Sequence, residues 1–227
     1  KNTNEQQGEV FGFSFVYSGN FLAQVEVDPY HVTRAMLGIN PHQFGWELEP
    51  GAAFTAPEAV MVYSDAGLNG MSRTFHDVYR KHLISPKWSG KKRPILINNW
   101  EATYFDFNEE KIMELAADAK ALGIELFVLD DGWFGKRDND ASSLGNWTAD
   151  PKKLPNGVEG LAEKIHSLGL QFGLWFEPEM VSVGTPIHED HPDWKIGHPG
   201  KNISHGRNQY VLDFSRPEVV QNIFNQM

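Results

Sequence analysis

The stretch ELFVLDDGWFG, Glu125 to Gly135, contains the main indication of the fold. Four apolar residues follow one another without alternation and stop at two aspartates, Asp130 and Asp131. A continuous apolar strand is typical of a parallel sheet with both faces covered. The aspartates then lie at the carboxyl end of the strand, where α/β proteins bind ligands. They could be an acid and a base, they could hold a substrate, or they could cap a loop.

The same strand and helix alternation recurs on both sides of this stretch. PILINNW is predicted to be the strand before it, LQFGLWFEPEM the strand after it, and QYVLDF a fourth strand that leads into a helix begun at Arg216-Pro217. Asn108 is predicted to cap the first intervening helix, which Gly123 ends. Its predicted core stripe is Ile112, Leu115, Ala116, Ala119 and Leu122. Four βα steps predict an α/β fold, either a partial (β/α)8 TIM barrel or an open sheet.

The residues before this part follow a different pattern. Apolar and small residues alternate from Phe11 to Tyr17 and again from Ala23 to Val27, which predicts a β-hairpin with one buried face. A short strand near Val60 and a helix that carries Met71 and Phe75 complete the region. We therefore predict two domains: residues 1–90 as the C-terminal part of a β-rich domain with a connecting helix, and residues 91–227 as the first half of the barrel.

Composition excludes several classes of partner. The 227 residues include 20 basic and 30 acidic side chains, a net charge of −10, with no basic stripe, so nucleic acid is not expected as a partner. No apolar run approaches the ~20 residues that cross a bilayer, and KNTNEQQGEV lacks the apolar region of a signal peptide, so no membrane partner is expected. The absence of cysteine fits a reducing compartment, and we expect a cytoplasmic protein.

Polar and aromatic residues follow each predicted strand. Carboxylates can accept hydrogen bonds from hydroxyls, and tryptophans can stack on C–H faces, a combination typical of a monosaccharide pocket. The residues concerned are Asn98, Asn99, Trp100 and Glu101 after the first strand, Asp130, Asp131 and Trp133 after the second, Trp175, Glu177 and Glu179 after the third, and Arg207 before the fourth. The sequence therefore predicts a sugar-processing enzyme.

Structural roles compete with this interpretation. A strand-end aspartate is often a cap or turn former, a tryptophan there is often part of the core, and an arginine in a glycine- and asparagine-rich loop is usually solvated. HEDH, His188 to His191, offers two imidazoles and two carboxylates. It lies in a predicted proline-containing loop without the i,i+4 spacing of a helical zinc site, so no metal site is predicted there.

Four motifs, NNWEATYFDF, LDDGWFG, GLWFEPEMV and GRNQYVLDFSRPEV, closely resemble the bacterial α-galactosidases of glycoside hydrolase family 36. The resemblance extends from about Pro94 to Met227, and the preceding part is similar to the end of that family's N-terminal β-sandwich domain. It implies a retaining α-galactosidase that releases terminal α-linked galactose from oligosaccharides such as melibiose and raffinose. It also implies a (β/α)8 catalytic barrel, no metal or other cofactor, and assembly that is often tetrameric.

The resemblance also assigns the site residues. In the family the paired aspartates, here Asp130 and Asp131, hold the O4 and O6 side of galactose, while Trp100 and Trp175 match the aromatic walls and Arg207 a positive arm. Adjacent residues do not fit the retaining pair of carboxyls, which face each other about 5 to 5.5 Å apart across the scissile bond. The family nucleophile lies in a Lys-Trp-Asp motif that this sequence lacks. We expect nucleophile and acid/base downstream of Met227, and no catalytic residue in this chain.

Three rival functions remain open. A galactosyl transferase of the raffinose-synthase type would share the fold. A metal-dependent sugar isomerase or lyase would use Glu177 and Glu179 as ligands at the rim of a barrel. The chain could also bind sugar without catalysing a reaction.

Overall fold

The computed structural model describes residues 2–42, 44–198, 200–201, 203 and 205–227. The chain divides into two compact units, Lys1–Lys92 and Arg93–Met227. Their content is α/β, with β-strands at the N-terminus. No helix among the described residues is long and apolar enough to cross a membrane.

The first unit contains two antiparallel strand pairs. Its strands are β1 (Val10–Val16), β2 (Phe21–Val27), β3 (Thr33–Ile39) and β4 (Glu58–Ser64), with β1 paired to β4 and β2 paired to β3. The predicted hairpin of the first two strands is therefore wrong. The connection that closes a hairpin is the one between β2 and β3, where the Asp28 carboxylate accepts hydrogen bonds from the backbone N–H groups of Tyr30 and Val32, both at 2.9 Å.

The buried face predicted for these strands is also wrong: among the described residues each of these two sheets has two strands, and apolar side chains on them stay uncovered. Phe11 is 61% exposed and Val25 is 70% exposed. The predicted helix is confirmed as α1 (Gly67–Val78), which runs into a π-helical turn at Tyr79–Leu83 and is followed by the short α2 (Pro86–Ser89). A Cβ atom at Gly12 of β1 would lie 2.6 Å from the Phe75 ring, so glycine allows α1 to approach the strand closely.

The second unit is built on a three-stranded parallel sheet. Its strands, β5 (Leu96–Asn98), β6 (Leu126–Leu129) and β7 (Gln171–Leu174), stand in that order, and Asn98, Val128 and Gly173 share one register position. The helices α3 (Trp100–Thr103), α4 (Glu109–Ala121) and α5 (Gly157–Ser167) connect the strands. These predicted strands and their parallel pairing are confirmed.

Helix α4 shows which local predictions succeed. Asn108 caps it as predicted, since the Asn108 side-chain oxygen accepts a hydrogen bond from the Lys111 backbone N–H at 2.9 Å. Ile112, Ala116 and Ala119 are buried. Leu122 is 82% exposed, so its place in the predicted core stripe is wrong: it is the C-cap residue, one position beyond the last residue of the helix.

The predicted fourth parallel strand is wrong in this chain. Strand β9 (Gln209–Val211) pairs antiparallel with β8 (Met180–Ser182) and not with the three-stranded sheet. A three-residue strand forms few ladder hydrogen bonds, so a nearby extended segment competes easily with a longer-range parallel partner. The helix predicted after it is present as α7 (Pro217–Gln226).

The predicted loop at HEDH is wrong as well. His188 to Asp190 lie in the short helix α6 (Pro186–Asp190), which begins at a proline. Proline suits the first helical turn because its missing N–H would have no intrahelical partner there. The core of the unit lies between the parallel sheet and the helices, and its fully buried side chains include Ile112, Phe127, Leu129, Phe134, Leu144, Leu161, Ile165 and Val219.

Candidate functional site

The ends of the three parallel strands meet at one edge of the sheet. Asn99, Asp130 and Trp175 are the residues that follow β5, β6 and β7. The Asp130 backbone N–H donates to the Asn99 side-chain oxygen at 2.8 Å, and the Trp175 backbone N–H donates to the Leu129 carbonyl at 2.9 Å. The structure thus places these predicted site residues on neighbouring strand ends.

Asn99 is the buried support of this edge. It is 1% exposed, and its side-chain N–H2 donates to the Thr103 hydroxyl at 2.8 Å while its oxygen accepts from Asp130. Asp130 itself is half-buried, and its Oδ1 accepts from the Asp131 backbone N–H at 2.8 Å. Within the described residues, Asp130 Oδ2 makes no hydrogen bond, so this oxygen can accept one from a ligand hydroxyl.

Asp131 has a different environment. It is buried and paired with Arg137, whose Nε lies 2.9 Å from Asp131 Oδ1 and whose Nη2 lies 2.8 Å from Asp131 Oδ2. The exposed fraction is 0% for the Arg137 side chain and 10% for that of Asp131. Sequence reasoning missed Arg137, because a basic residue in the polar run GKRDND has no feature that distinguishes it from a solvated one.

A second buried cation holds the same loop. Lys153 Nζ donates to the carbonyls of Phe105, Gly132 and Arg137 at 2.9 to 3.0 Å and lies 3.0 Å from an Asp138 carboxylate oxygen. Gly132 has φ of +103°, a conformation that a side chain would disfavour, and its added Cβ would lie 3.1 Å from the Phe105 ring. The backbone that follows Asp131 is therefore held by the hydrogen bonds of Lys153 and by the close approach of Gly132 to the Phe105 ring.

Trp100 and Trp175, the two predicted aromatic walls, are both partly buried. Trp100 packs edge-on against Tyr104 and Phe105, with ring centroids 5.1 Å apart in each pair. The hydrogen bond from the Tyr104 hydroxyl to Glu101 raises the pKa of Tyr104. Trp175 lies parallel to Phe134 at 6.3 Å. Part of each indole therefore packs against other rings, and the remainder is exposed to solvent.

Trp133 belongs to the core. It is 2% exposed, and its indole N–H donates to the Trp175 carbonyl at 3.0 Å. Trp147 packs between the same rings and is also buried. For Trp133 the structure therefore places the side chain inside the unit and not on its surface, and its contact with Trp175 fixes the backbone from which the Trp175 indole projects.

Arg207 occupies a strained turn. Arg207 and Asn208 have φ of 50° and 58°, and the Gln209 N–H donates to the Gly206 carbonyl at 3.1 Å across them. Such two-residue turns favour asparagine and glycine, so an arginine there costs conformational energy. Its Nη2 lies 4.0 Å from Glu177 Oε1, and its side chain is 54% exposed.

Glu177 connects this turn to the end of β7. Its Oε1 accepts from Gln209 Nε2 at 3.0 Å and lies near Arg207. Gln209 is 3% exposed, and its Oε1 is buried without a hydrogen-bond partner in the part of the chain that the structure describes. In that same part, no hydrogen bond or ion pair joins Arg207 to Asp130 or Asp131.

Glu179 takes no visible part in this cluster. Its side chain is exposed, and its backbone carbonyl accepts a hydrogen bond from the Leu212 N–H at 2.8 Å between the β8 and β9 segments. Over residues 2–42, 44–198, 200–201, 203 and 205–227, no group of three or more His, Cys, Asp or Glu side chains is arranged to hold a metal ion.

Comparison with known proteins places this chain in a family. The Melibiase family model matches residues 53–227, and the model of the glycosyl hydrolase family 36 N-terminal domain matches residues 1–49. Alpha-galactosidase AgaA of Geobacillus stearothermophilus is 61% identical over 219 residues, which are 96% of this chain and 30% of that protein. Alpha-galactosidase Mel36A of Lactobacillus acidophilus is 50% identical over 226 residues, which are 100% of this chain and 31% of that protein.

Solved structures agree with these relationships. The crystal structure of AgaA superimposes with a TM-score of 0.96 at 60% identity, over 99% of this chain and 31% of that one. Variants of AgaA have been solved in complex with raffinose and with stachyose. This chain spans about 30% of the length of the relatives that it matches. Since the family model covers most of its residues, the chain belongs to the melibiase family, with a glycosyl hydrolase family 36 N-terminal domain match at its start.

Proposed function

We propose that the full-length protein is a retaining α-galactosidase that hydrolyses terminal α-linked galactose from oligosaccharides such as melibiose and raffinose. The observation that carries the proposal is the strand-end carboxylate pair Asp130 and Asp131, in a chain 61% identical to an α-galactosidase. The raffinose and stachyose complexes of AgaA variants support the substrate class.

The three parallel strands of the second unit and the two helical connections between them support the proposal of a partial (β/α)8 barrel, because a full barrel has eight such strands. We propose in the same way that the four N-terminal strands are the tail of a β-sandwich. The division into domains at 1–90 and 91–227, a cytoplasmic location and a tetrameric assembly stay predictions.

In this proposal the residues of this chain bind galactose and orient it. Asp130 accepts a hydrogen bond from a sugar hydroxyl through its open Oδ2, and Asp131 accepts one beside its pair with Arg137. Trp100 and Trp175 provide apolar walls for the C–H faces of the ring. Arg207 supplies a positive group at the rim. The nucleophile and the acid/base lie downstream of Met227.

The experiment that tests this function uses the full-length protein and p-nitrophenyl α-D-galactopyranoside. A retaining enzyme releases galactose first as the α anomer, which proton NMR resolves before mutarotation. We expect α-galactose as the first product and much slower turnover of the matching α-glucoside, because the axial O4 is what a positioned carboxylate discriminates. An inverted first product, or no turnover, would contradict the proposal.

A second arm separates binding from bond cleavage. Asp130→Asn removes a carboxylate that is proposed to hold a sugar hydroxyl. It is expected to weaken transition-state binding, calculated from the ratio of kcat/KM values, by roughly 2 to 5 kcal/mol. Azide is expected to restore nothing, because anion rescue requires the space vacated by a nucleophile. Azide rescue of Asp130→Asn or Asp131→Asn would move the nucleophile to this pair.

A further inference from the structure

We propose that Arg137 is a positioning residue for sugar recognition, which holds the Asp131 carboxylate in the orientation that receives a galactose hydroxyl. The proposal rests on the function above and adds to it a residue without predicted sugar contact. Its starting observation is that a fully buried guanidinium forms a two-pronged pair with one of the two strand-end aspartates.

The geometry of the pair fixes the plane of the carboxylate. Arg137 Nε lies 2.9 Å from Oδ1 and 3.2 Å from Oδ2 of Asp131, and Nη2 lies 2.8 Å from Oδ2. A planar fork with contacts to both oxygens leaves the carboxylate no freedom to rotate about its terminal bond. A lysine at this position would supply a point charge and would not set that plane.

The guanidinium is itself held from other directions. Its Nη1 donates to the Ser142 carbonyl at 2.6 Å, and its central carbon lies 5.7 Å from the Phe105 ring and 5.9 Å from the Phe134 ring. A side chain with 0% exposure and these contacts has no alternative rotamer available without disturbing the core. The orientation of Asp131 is therefore set by the interior of the unit.

The pair leaves Asp131 able to accept a further hydrogen bond. Two carboxylate oxygens have about four acceptor positions in total, and the fork occupies those on one side. The Asp131 side chain keeps 10% exposure, so it is not sealed from solvent as the Arg137 side chain is. A carboxylate whose rotamer is already fixed loses little entropy when it binds a ligand, so removal of the fork should weaken binding even though Arg137 itself is not in contact with sugar.

Lys153 provides a matched control. It is a second buried cation that holds the same loop, but it donates to the carbonyls of Phe105, Gly132 and Arg137 and, among the described residues, forms no hydrogen bond or ion pair with the Asp131 carboxylate. If the loop needs only an anchor, loss of either cation should weaken binding in the same way. If Arg137 orients Asp131, its effect should depend on the Asp131 carboxylate and that of Lys153 should not.

The experiment is a double-mutant cycle in the full-length protein, with the inhibition constant of galactose and separate kcat and KM values for p-nitrophenyl α-D-galactopyranoside as readouts. Arg137→Met is expected to weaken galactose binding about 10-fold when Asp131 is present and less than about 2-fold in an Asp131→Asn background. Lys153→Met should weaken binding by the same factor in both backgrounds. Arg137→Lys should fall between the wild type and Arg137→Met.

A second measurement serves where Arg137→Met or Asp131→Asn does not fold. Arg137→Lys keeps the charge, and it should reduce the preference for galactose over 4-deoxygalactose or 6-deoxygalactose, whichever lacks the hydroxyl that Asp131 holds. Lys153→Arg should leave both preferences unchanged. In an active enzyme, two results would overturn the positioning role. One is that the Arg137 and Lys153 variants lose galactose affinity equally, and by the same factor with and without the Asp131 carboxylate. The other is that Arg137→Lys does not change the preference for galactose over the deoxy sugars. A wild-type protein that neither binds galactose nor cleaves the galactoside would overturn the proposed function as well.

Discussion

At the residue scale, the two adjacent aspartates are physically unlike. Asp131 neutralises a guanidinium with 0% exposure, whereas Asp130 is half-buried and keeps one oxygen without a hydrogen bond in the described residues. The two neighbours therefore differ in what they do: Asp131 forms a buried ion pair with Arg137, and Asp130 has a carboxylate oxygen that can accept another hydrogen bond. The motif predicted a pair of acceptors, and the structure adds that one of them also stabilises the core.

Asp131→Asn is expected to lower the free energy of unfolding by about 3 kcal/mol, because it leaves the buried Arg137 without a counter-charge. Asp130→Asn should cost less than about 1 kcal/mol, since an amide oxygen can still accept from the Asp131 N–H. Denaturant unfolding of the full-length variants measures both. Equal losses for the two substitutions would show that the pair with Arg137 contributes nothing specific to stability.

Arg207 shows the opposite balance between stability and binding. Its φ of 50° lies in the left-handed region, so Arg207→Gly removes backbone strain while it also removes the guanidinium. We expect unfolding stability within about 1 kcal/mol of the wild type and a KM for the aryl galactoside about 10-fold higher. Asn208→Gly, in the same turn with φ of 58°, is the control that should leave KM unchanged. A large loss of stability in Arg207→Gly would refute the strain argument.

At the scale of elements, local signals predicted most of the elements and the parallel order of β5, β6 and β7, whereas the partners of β1, β2 and β9 escaped prediction. Asn108 was identifiable as a cap because the capping hydrogen bond spans three residues. The strand from Val10 to Val16 was identifiable by alternation, but its partner lies more than forty residues away at Glu58–Ser64. Alternation of apolar and polar residues indicates on which face of the sheet a side chain lies, but it does not indicate which strand is the hydrogen-bonded neighbour.

The same limit applies to the site. The run of apolar residues that ends at Asp130 indicated the strand end, and the parallel register confirms it. Arg137 could not be found in this way, because its burial depends on Phe105, Phe134 and Ser142, which reach it only in the folded unit. Strand β9 was misplaced for a related reason: a three-residue strand has too few residues to specify its partner.

Glu109 connects two helices and makes their packing sensitive to acid. Lys164 of α5 donates to Glu109 Oε1, and Asn156 donates to Oε2 at 3.2 Å. The hydrogen bond from Lys164 lowers the pKa of Glu109, although burial opposes the shift. A carboxyl whose pKa is lower in the folded state contributes stability that is complete above its unfolded pKa and is lost as the pH falls through the folded one.

Glu109→Gln should therefore lower stability at neutral pH and have no effect in strong acid. The difference in unfolding midpoint between wild type and variant should be constant above pH about 4.3 and shrink progressively below it. Glu110→Gln is the control, since Glu110 is exposed in the same helical turn and forms no ion pair among the described residues. A difference that grows on acidification would have the wrong sign for this contact.

At the scale of the whole molecule, the parallel sheet exposes apolar residues that such sheets usually bury. Ile95, Leu96 and Ile97, on and beside β5, are 60%, 52% and 40% exposed. Parallel sheets normally have both faces covered, and an open apolar edge strand is a site for further strand pairing. Because relatives are about three times longer than this chain, we expect the proposed barrel to supply a physical partner for these residues in the full-length protein.

The 227-residue chain expressed alone is expected to hydrolyse no α-galactoside. It contains the proposed galactose-binding residues, but it contains no Lys-Trp-Asp motif, and without a nucleophile a retaining mechanism cannot form its glycosyl-enzyme intermediate. Its exposed strand residues should also bind a hydrophobic dye more strongly than the full-length protein does. The measurement compares p-nitrophenol release by the chain and by the full-length protein at equal molar concentration. Turnover by the chain above buffer, abolished by Asp130→Asn or Asp131→Asn, would show that this pair performs the chemistry and that the proposed division between binding and catalytic segments is wrong.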